Sequence, residues 1–153
     1  MSIFDIFKKK KKVEEKQIVE QNVLVEPDPQ MFQGVYNLIL KHLPEKWERL
    51  AVYYATAGSM FELKYYVDSG MGYVDCCNLK EYDENNFYKL TIDVHSLIKQ
   101  TRNNLPEDKR WSVFTMFISS SGKFETNFSY DDISKTYIEY RNKWENENIK
   151  NKQ

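Results

Sequence analysis

The sequence is poor in the residues that mark several familiar classes of protein. Its 153 residues include two cysteines and two histidines, which argues against a disulfide framework and leaves few ligands for a zinc site. No stretch approaches the roughly 20 apolar residues of a membrane span. The formal net charge is -1, so overall charge gives no reason to expect nucleic acid as the main ligand. These absences favour one ordinary globular domain.

The cysteines and histidines do not form a recognisable chemical site. Cys76 and Cys77 are adjacent, and neighbouring residues of a strand point to opposite faces, so we interpret them as reduced side chains in or near a core. Neither His42 nor His95 has a second histidine or a cysteine at metal-ligand spacing. The sequence therefore predicts no metal, no cofactor and no catalytic residue, and we expect a protein that is not an enzyme.

The ends of the chain differ from its centre. We expect a flexible, lysine-rich tail over residues 1–29, a single domain over 30–147 and a frayed C-terminus over 148–153. The lysine run from Lys8 to Lys12 has no interleaved aromatic residues to stack on bases, so we expect no direct binding of nucleic acid. The apolar residues before it are too few for stable membrane association. They also do not form a secretory signal, and we expect a cytoplasmic protein.

Three segments place apolar residues at helical spacing. The first predicted helix runs from Gln30 to Leu43. The second follows Asp83, which is a plausible N-cap residue. The third is predicted to begin near Asp131 and Asp132, where two carboxylates would suit the positive end of the helix dipole.

Alternating apolar and polar residues predict five strands. They cover residues 47–57, 60–68, 73–78, 111–119 and 123–130. The order of helix, three strands, helix, two strands and helix predicts an α+β fold, with an antiparallel sheet of about five strands and helices packed mainly on one face. If all three helices cover one face, the other face stays open and shows Glu62, Lys64 and Tyr66.

Four short motifs occur along this predicted domain. They are Leu43-Pro44-Glu45-Lys46-Trp47 before a tyrosine-rich strand, Trp111-Ser112, Ser121-Gly122-Lys123-Phe124 and Tyr130-Asp131-Asp132. Their order and spacing, from about Met31 to about Trp144, resemble the YezG-type immunity proteins, a family that also includes the EsaG antitoxin.

The resemblance implies a cytoplasmic antitoxin of a Gram-positive bacterium. Such a protein binds a cognate toxin, of the LXG type or another polymorphic class and often a nuclease, until the toxin is exported by type VII secretion. The resemblance also implies that the protein is not an enzyme and needs no cofactor.

A surface that binds such a toxin needs exposed polar and aromatic side chains. Nuclease toxins carry basic substrate clefts, and an inhibitor that presents carboxylates to a basic cleft gains fast, electrostatically steered association. The candidate partner-binding residues are Glu62, Tyr66, Tyr73, Asp75, Glu125, Asp131 and Asp132. A non-catalytic regulatory or adaptor domain unrelated to toxins is the alternative, and the neighbouring gene would discriminate between the two.

Overall fold

The structure is a computed structural model, and it describes residues 28–152. Within that range, three α-helices and five strands occur in the order that the sequence predicts. The helices are α1 (Pro29–Leu40), α2 (Glu84–Asn103) and α3 (Tyr137–Asn148). The strands are β1 (Arg49–Ala57), β2 (Met60–Asp68), β3 (Tyr73–Asp75), β4 (Val113–Ser119) and β5 (Phe124–Ser129). The predicted α+β class is confirmed, whereas the predicted N-terminal tail lies almost wholly outside the described residues.

All strand pairs are antiparallel, in the order β3-β2-β1-β4-β5. The first three strands form a meander, and β4 with β5 forms a hairpin whose first strand pairs with β1. Strand β1 is therefore central, and seven of its nine residues are buried. Because both faces of β1 are apolar, both faces of the sheet need a cover.

Helices α1 and α2 cover one face of the sheet, which we call the helix-pair face. Each of the two helices begins at an aspartate that caps it, because Asp28 accepts a hydrogen bond from the Gln30 amide and Asp83 accepts one from the Asn86 amide. The N-cap predicted at Asp83 is confirmed. The two helices approach closely at Gly34, where a Cβ atom would lie 2.6 Å from a methyl carbon of Leu97.

The main hydrophobic core lies between this helix pair and the sheet. It combines residues of α1, of the predicted stripe on α2 and of alternate positions on the central strands. The largest side chains that are completely buried there are Phe32, Tyr54, Phe114, Ile39 and Leu50.

Helix α3 packs on the opposite face, which we call the α3 face. Trp144 of α3 lies against Tyr53, with ring centroids 4.9 Å apart, and against Tyr66 at 5.8 Å. Ala51 and Ala55 are completely buried in the same cluster. Two of the three helices thus share one face, and the open second face expected if all three did so is not observed. The sheet needs helix α3 on this second face because β1 carries apolar residues on both of its faces.

The predicted start of the last helix was wrong. Helix α3 begins at Tyr137, not near Asp131, and its N-cap residue Thr136 makes no side-chain hydrogen bond. Instead, the Asp132 carboxylate accepts hydrogen bonds from the backbone amide and hydroxyl of Ser134, which stabilise a turn before the helix. Ile133 is buried at the start of that turn. Because Ile133 is buried and Asp132 forms this turn, the helix begins later in the chain than its sequence suggests.

The other boundaries differ by a few residues. The first helix ends at Leu40 rather than Leu43, and β3 ends at Asp75, followed by a short 3-10 helix over Cys76–Asn78. Ile149, which follows α3, is 5% exposed and belongs to the cluster on the α3 face. Cys76 is buried but Cys77 is exposed, so only the first cysteine lies in the core.

Candidate functional site

Charged side chains join the sheet to α3 on the α3 face. Arg141 of α3 forms an ion pair with Glu62 of β2. Lys64 of β2 lies 2.6 Å from the Asp75 carboxylate and 3.2 Å from the Glu145 carboxylate. We call these five residues, together with Tyr66, the α3 latch.

The Tyr66 hydroxyl completes this latch by donating a 2.5 Å hydrogen bond to Glu145. Burial raises the pKa of Tyr66, and the adjoining carboxylates of Glu145 and Asp75 raise it further. Burial alone would lower the pKa of Lys64, but its bonds to Asp75 and Glu145 outweigh that effect, so the pKa of Lys64 is raised. The latch therefore holds a neutral phenol and an ammonium group against carboxylates.

Four of the predicted partner-binding residues are engaged inside the protein. Tyr66 is 2% exposed and Tyr73 is 9% exposed, and the guanidinium carbon of Arg49 lies 4.4 Å from the centre of the Tyr73 ring. The side chains of Glu62 and Asp75 are 18% and 22% exposed and are both ion-paired. These four residues contribute to packing and to the ion pairs of the α3 face, which sequence spacing alone could not reveal.

The other three predicted residues are exposed. Glu125 lies on β5, the edge strand, where its carboxylate accepts a 3.4 Å hydrogen bond from the Asn127 side chain. Asp131 and Asp132 follow β5, and the Ser112 hydroxyl donates a 2.6 Å bond to the Asp131 carbonyl. Hydrogen bonds from Ser134 lower the pKa of Asp132, which keeps it ionised. A partner can thus reach these carboxylates on the surface.

Sequence reasoning missed a cleft at one end of the sheet. This end cleft has a volume of about 590 Å³. It is lined by Tyr36, Ser69 and the segments 45–48 and 118–122. Two of the four motifs noted above, Leu43-Pro44-Glu45-Lys46-Trp47 and Ser121-Gly122-Lys123-Phe124, supply five of the eleven lining residues. The meeting of these two segments depends on the pairing of β1 with β4, which no local pattern encodes.

Hydrogen bonds between three separate turns fix the shape of the end cleft. The Ser120 amide donates a 2.7 Å bond to the Glu48 carbonyl, and the Glu48 amide donates a 2.8 Å bond to the Asp68 carbonyl. The Ser69 hydroxyl donates a 3.1 Å bond to the Lys46 carbonyl. The backbone around the cleft is therefore held by interactions outside regular strand pairing.

The described residues contain neither a metal-binding cluster nor a membrane-spanning helix. Across residues 28–152, no group of three or more histidine, cysteine or acidic residues lies close enough to hold a metal ion. In the same range, no helix is long and apolar enough to cross a membrane. Burial raises the pKa of the Cys76 thiol to about 12, so it stays protonated.

Comparison with known protein families matches residues 29–152 to the family described as Immunity protein YezG-like. The chain belongs to the YezG-like immunity protein family. The match begins at the first residue of α1 and ends with the last residue that the structure describes. The α3 latch, the exposed carboxylates and the end cleft all lie within this YezG-like domain. A search of curated proteins found no match.

Proposed function

We propose that this YezG-like protein binds a cognate polymorphic toxin and neutralises it by covering its functional surface. The family match supports the proposal, because it spans the whole folded domain rather than one motif. Inhibition by occlusion requires a rigid scaffold and an exposed complementary surface, and it requires no catalytic residue and no cofactor. The two packed faces of the sheet provide such a scaffold.

We further propose that the toxin is a nuclease. Enzymes that cleave nucleic acids bind a polyanion and so present basic surfaces. The exposed carboxylates of Glu125, Asp131 and Asp132 carry the opposite charge and would steer association with such a surface. Of the remaining predicted residues, Glu62 and Asp75 are accessible only at their partly exposed edges. Tyr66 and Tyr73 would support the surface from below.

The proposed setting is the bacterial cytoplasm. There the immunity protein would hold an LXG-type or other polymorphic toxin inactive until the toxin leaves through type VII secretion. Direct binding of nucleic acid and stable membrane association are not part of this proposal.

Co-expression with the product of the adjoining gene tests the proposal. We expect that gene product alone to stop growth, and the immunity protein to restore growth and to co-purify with it. A toxic product that is neither rescued nor bound would contradict the proposal. Rescue without a complex would contradict occlusion, and a bound but harmless product would favour a regulatory or adaptor domain. A nuclease assay with purified toxin, in the presence and absence of the immunity protein, then tests the activity.

A further inference from the structure

Aromatic rings form one wall of the end cleft. Trp47 and Tyr36 both line the cleft, and their ring centroids lie 6.5 Å apart in an edge-on arrangement. Both rings are half-buried and pack against the main core. They are therefore fixed in place and still partly accessible from the cleft, which suits the stacking of a flat cationic group.

Acidic side chains dominate the charge of the cleft. Glu45 and Glu48 are both exposed, and Lys46 is the one basic residue among the lining residues that the structure describes. Within residues 28–152, neither glutamate carboxylate has an ion-pair partner within 4.0 Å. The Glu48 carboxylate lies at the β2–β3 turn, where a Cβ atom on Gly70 would be 3.5 Å from Oε1. The lining thus carries a net charge of -1, the difference between one lysine and two glutamates.

The hairpin turn forms the third side of the cleft and contributes oxygen atoms. The Ser119 and Ser121 hydroxyls lie 2.8 Å apart, and the Ser119 hydroxyl also accepts a 3.0 Å bond from the Lys123 amide. Hydroxyl oxygens have two lone pairs and can accept a further N–H group. Because the turns around the cleft are already tied together, a ligand would need little ordering of the loops.

We infer that the end cleft receives an arginine side chain of the partner toxin, an inference that rests on the proposed function. A guanidinium group presents five N–H donors in one plane, can pair with carboxylates and stacks on aromatic rings. The cleft offers aromatic rings, carboxylates and hydroxyl acceptors within one concave surface. Lysine lacks the planar face, and an anion such as phosphate would meet the carboxylates of Glu45 and Glu48. Arginine is also enriched among the residues that dominate binding energy at interfaces.

A titration of the full-length chain tests the chemistry of the cleft directly. Proton–nitrogen NMR spectra would be recorded with added N-acetyl-arginine methylamide, with the neutral citrulline analogue and with inorganic phosphate. We expect arginine to shift the Trp47 indole N–H and the amides of residues 119–122, and citrulline to leave them nearly unchanged. Absence of shifts with arginine, equal shifts with citrulline, or shifts with phosphate alone would overturn the inference.

Variants test whether the toxin uses the cleft. Glu45→Lys combined with Glu48→Lys reverses the charge, and Ser121→Trp fills the space without removing a carboxylate. We expect each variant to weaken binding of the toxin from the adjoining gene at least tenfold, a loss typical of a close charge pair at an interface. Glu107→Lys combined with Asp108→Lys changes two exposed acids of a 3-10 helix outside the cleft, with the same total change in charge as the double glutamate variant, and serves as the matched control.

Binding of arginine in the cleft and neutralisation of the toxin can fail independently. If the wild-type chain neither binds nor neutralises the toxin, the proposed function fails, and the arginine titration still decides the chemistry of the cleft. If the wild-type chain neutralises the toxin and both cleft variants bind within twofold of it, the inference is wrong while the proposed function stands. Thermal unfolding of each variant is measured alongside. If one variant is less stable than the wild type, the other decides the result.

Discussion

The Tyr66 hydroxyl donates a 2.5 Å hydrogen bond to the Glu145 carboxylate, joining residues 79 positions apart in the chain. Tyr66 lies on β2 and Glu145 lies on the last turns of α3. Along α3, Trp144 is the buried residue, so the helix presents a narrow apolar contact to the sheet. The position of α3 therefore depends strongly on the polar contacts of the α3 latch.

Replacing Tyr66 by phenylalanine should destabilise the fold by about 2 kcal/mol, because it removes a hydrogen bond to a charged acceptor in a buried setting. The ring itself, with its contact to Trp144, is retained. Urea unfolding followed by circular dichroism measures the change in free energy. Tyr130→Phe is the control, since Tyr130 is 60% exposed, and it should change stability by less than about 0.5 kcal/mol. Equal effects of the two substitutions would contradict the assigned role of Tyr66.

Charge reversal at Glu62 should also loosen α3. Glu62→Lys puts a cation beside Arg141, its present partner, and the pair is only about one-fifth exposed. We expect a loss of about 2–3 kcal/mol, below the value for a fully buried pair because water partly screens it. The rate of hydrogen exchange should increase more in α3 than in α2. Glu125→Lys, on an exposed position of β5, should leave exchange in α3 unchanged. Unaltered exchange in the Glu62 variant would refute this account.

Asp68 closes the turn between β2 and β3. Its carboxylate accepts hydrogen bonds from the amides of Gly70 and Gly72, at 2.8 and 2.9 Å, and pairs with Arg49 at 2.6 Å. Asp68 is 4% exposed, so Asp68→Asn should cost about 3 kcal/mol by leaving these donors poorly matched. Asp108→Asn, on an exposed 3-10 helix, is the control. A loss below about 1 kcal/mol at Asp68 would contradict the prediction.

The same carboxylate gives a pH dependence of defined sign. Burial raises the pKa of Asp68, but the bonds from Gly70, Arg49 and Gly72 outweigh it and hold the pKa below its ordinary value of 3.8. The contribution of Asp68 to stability is therefore complete above pH 3.8 and is lost as pH falls through the lower pKa of the folded state. The difference in stability between wild type and Asp68→Asn should shrink across that acidic range.

The element order could be predicted from the sequence because it depends on local patterns. The cap at Asp83 can be read within one turn of chain, and the helical stripe on α2 can be read from the residues of that helix alone. The start of α3 could not be read that way. Asp131 and Asp132 have the composition of a helix start, but Ile133 is buried against the sheet and Asp132 bonds to Ser134. A tertiary contact therefore decided between two local conformations of similar propensity.

The candidate surface was harder to predict for a related reason. Alternation along β2 correctly separates Glu62, Lys64 and Tyr66 from the residues that face α1 and α2. Alternation does not say whether another element covers that second face. Helix α3 does cover it, using Arg141 and Glu145, whose charges on their own are typical of a solvated helix. An ion pair between a strand and a helix far along the chain can be recognised only once the topology is known.

His95 should make the domain less stable as the pH falls below neutral. Its Nδ1 atom lies 2.6 Å from the Tyr54 hydroxyl, and its ring stacks on Phe61 at 3.7 Å. With Tyr54 as the donor, Nδ1 has to be unprotonated. Burial lowers the pKa of His95 from its ordinary value of 6.5, and the neighbouring charge of Lys99 lowers it further. The stabilisation is therefore complete above pH 6.5 and declines as pH falls towards the folded-state pKa.

Urea unfolding at pH about 7.5 and about 5.5 measures this effect in a range where most carboxylates stay ionised. His95→Asn, which cannot titrate there, should lose less stability between the two pH values than the wild type does. His42 also has a lowered pKa, caused by burial and then by Lys41, so some dependence should remain in the variant. Identical losses in the two proteins would show that His95 is not the group responsible.

Asp132 should speed association with the toxin more than it slows dissociation of the complex. Asp132 is exposed and its charge is stabilised by Ser134, so Asp132→Lys should reverse a surface charge without unfolding the domain. If the toxin presents a basic cleft, the variant should associate more slowly, by about tenfold at low salt, with a smaller change in the dissociation rate. Stopped-flow measurements at several salt concentrations test this, because screening should bring the two association rates together. Glu107→Lys, outside the proposed surface, controls for net charge. If both variants associate equally slowly, overall charge explains the effect. If the Asp132 variant associates at the wild-type rate, Asp132 is not part of the toxin-binding surface.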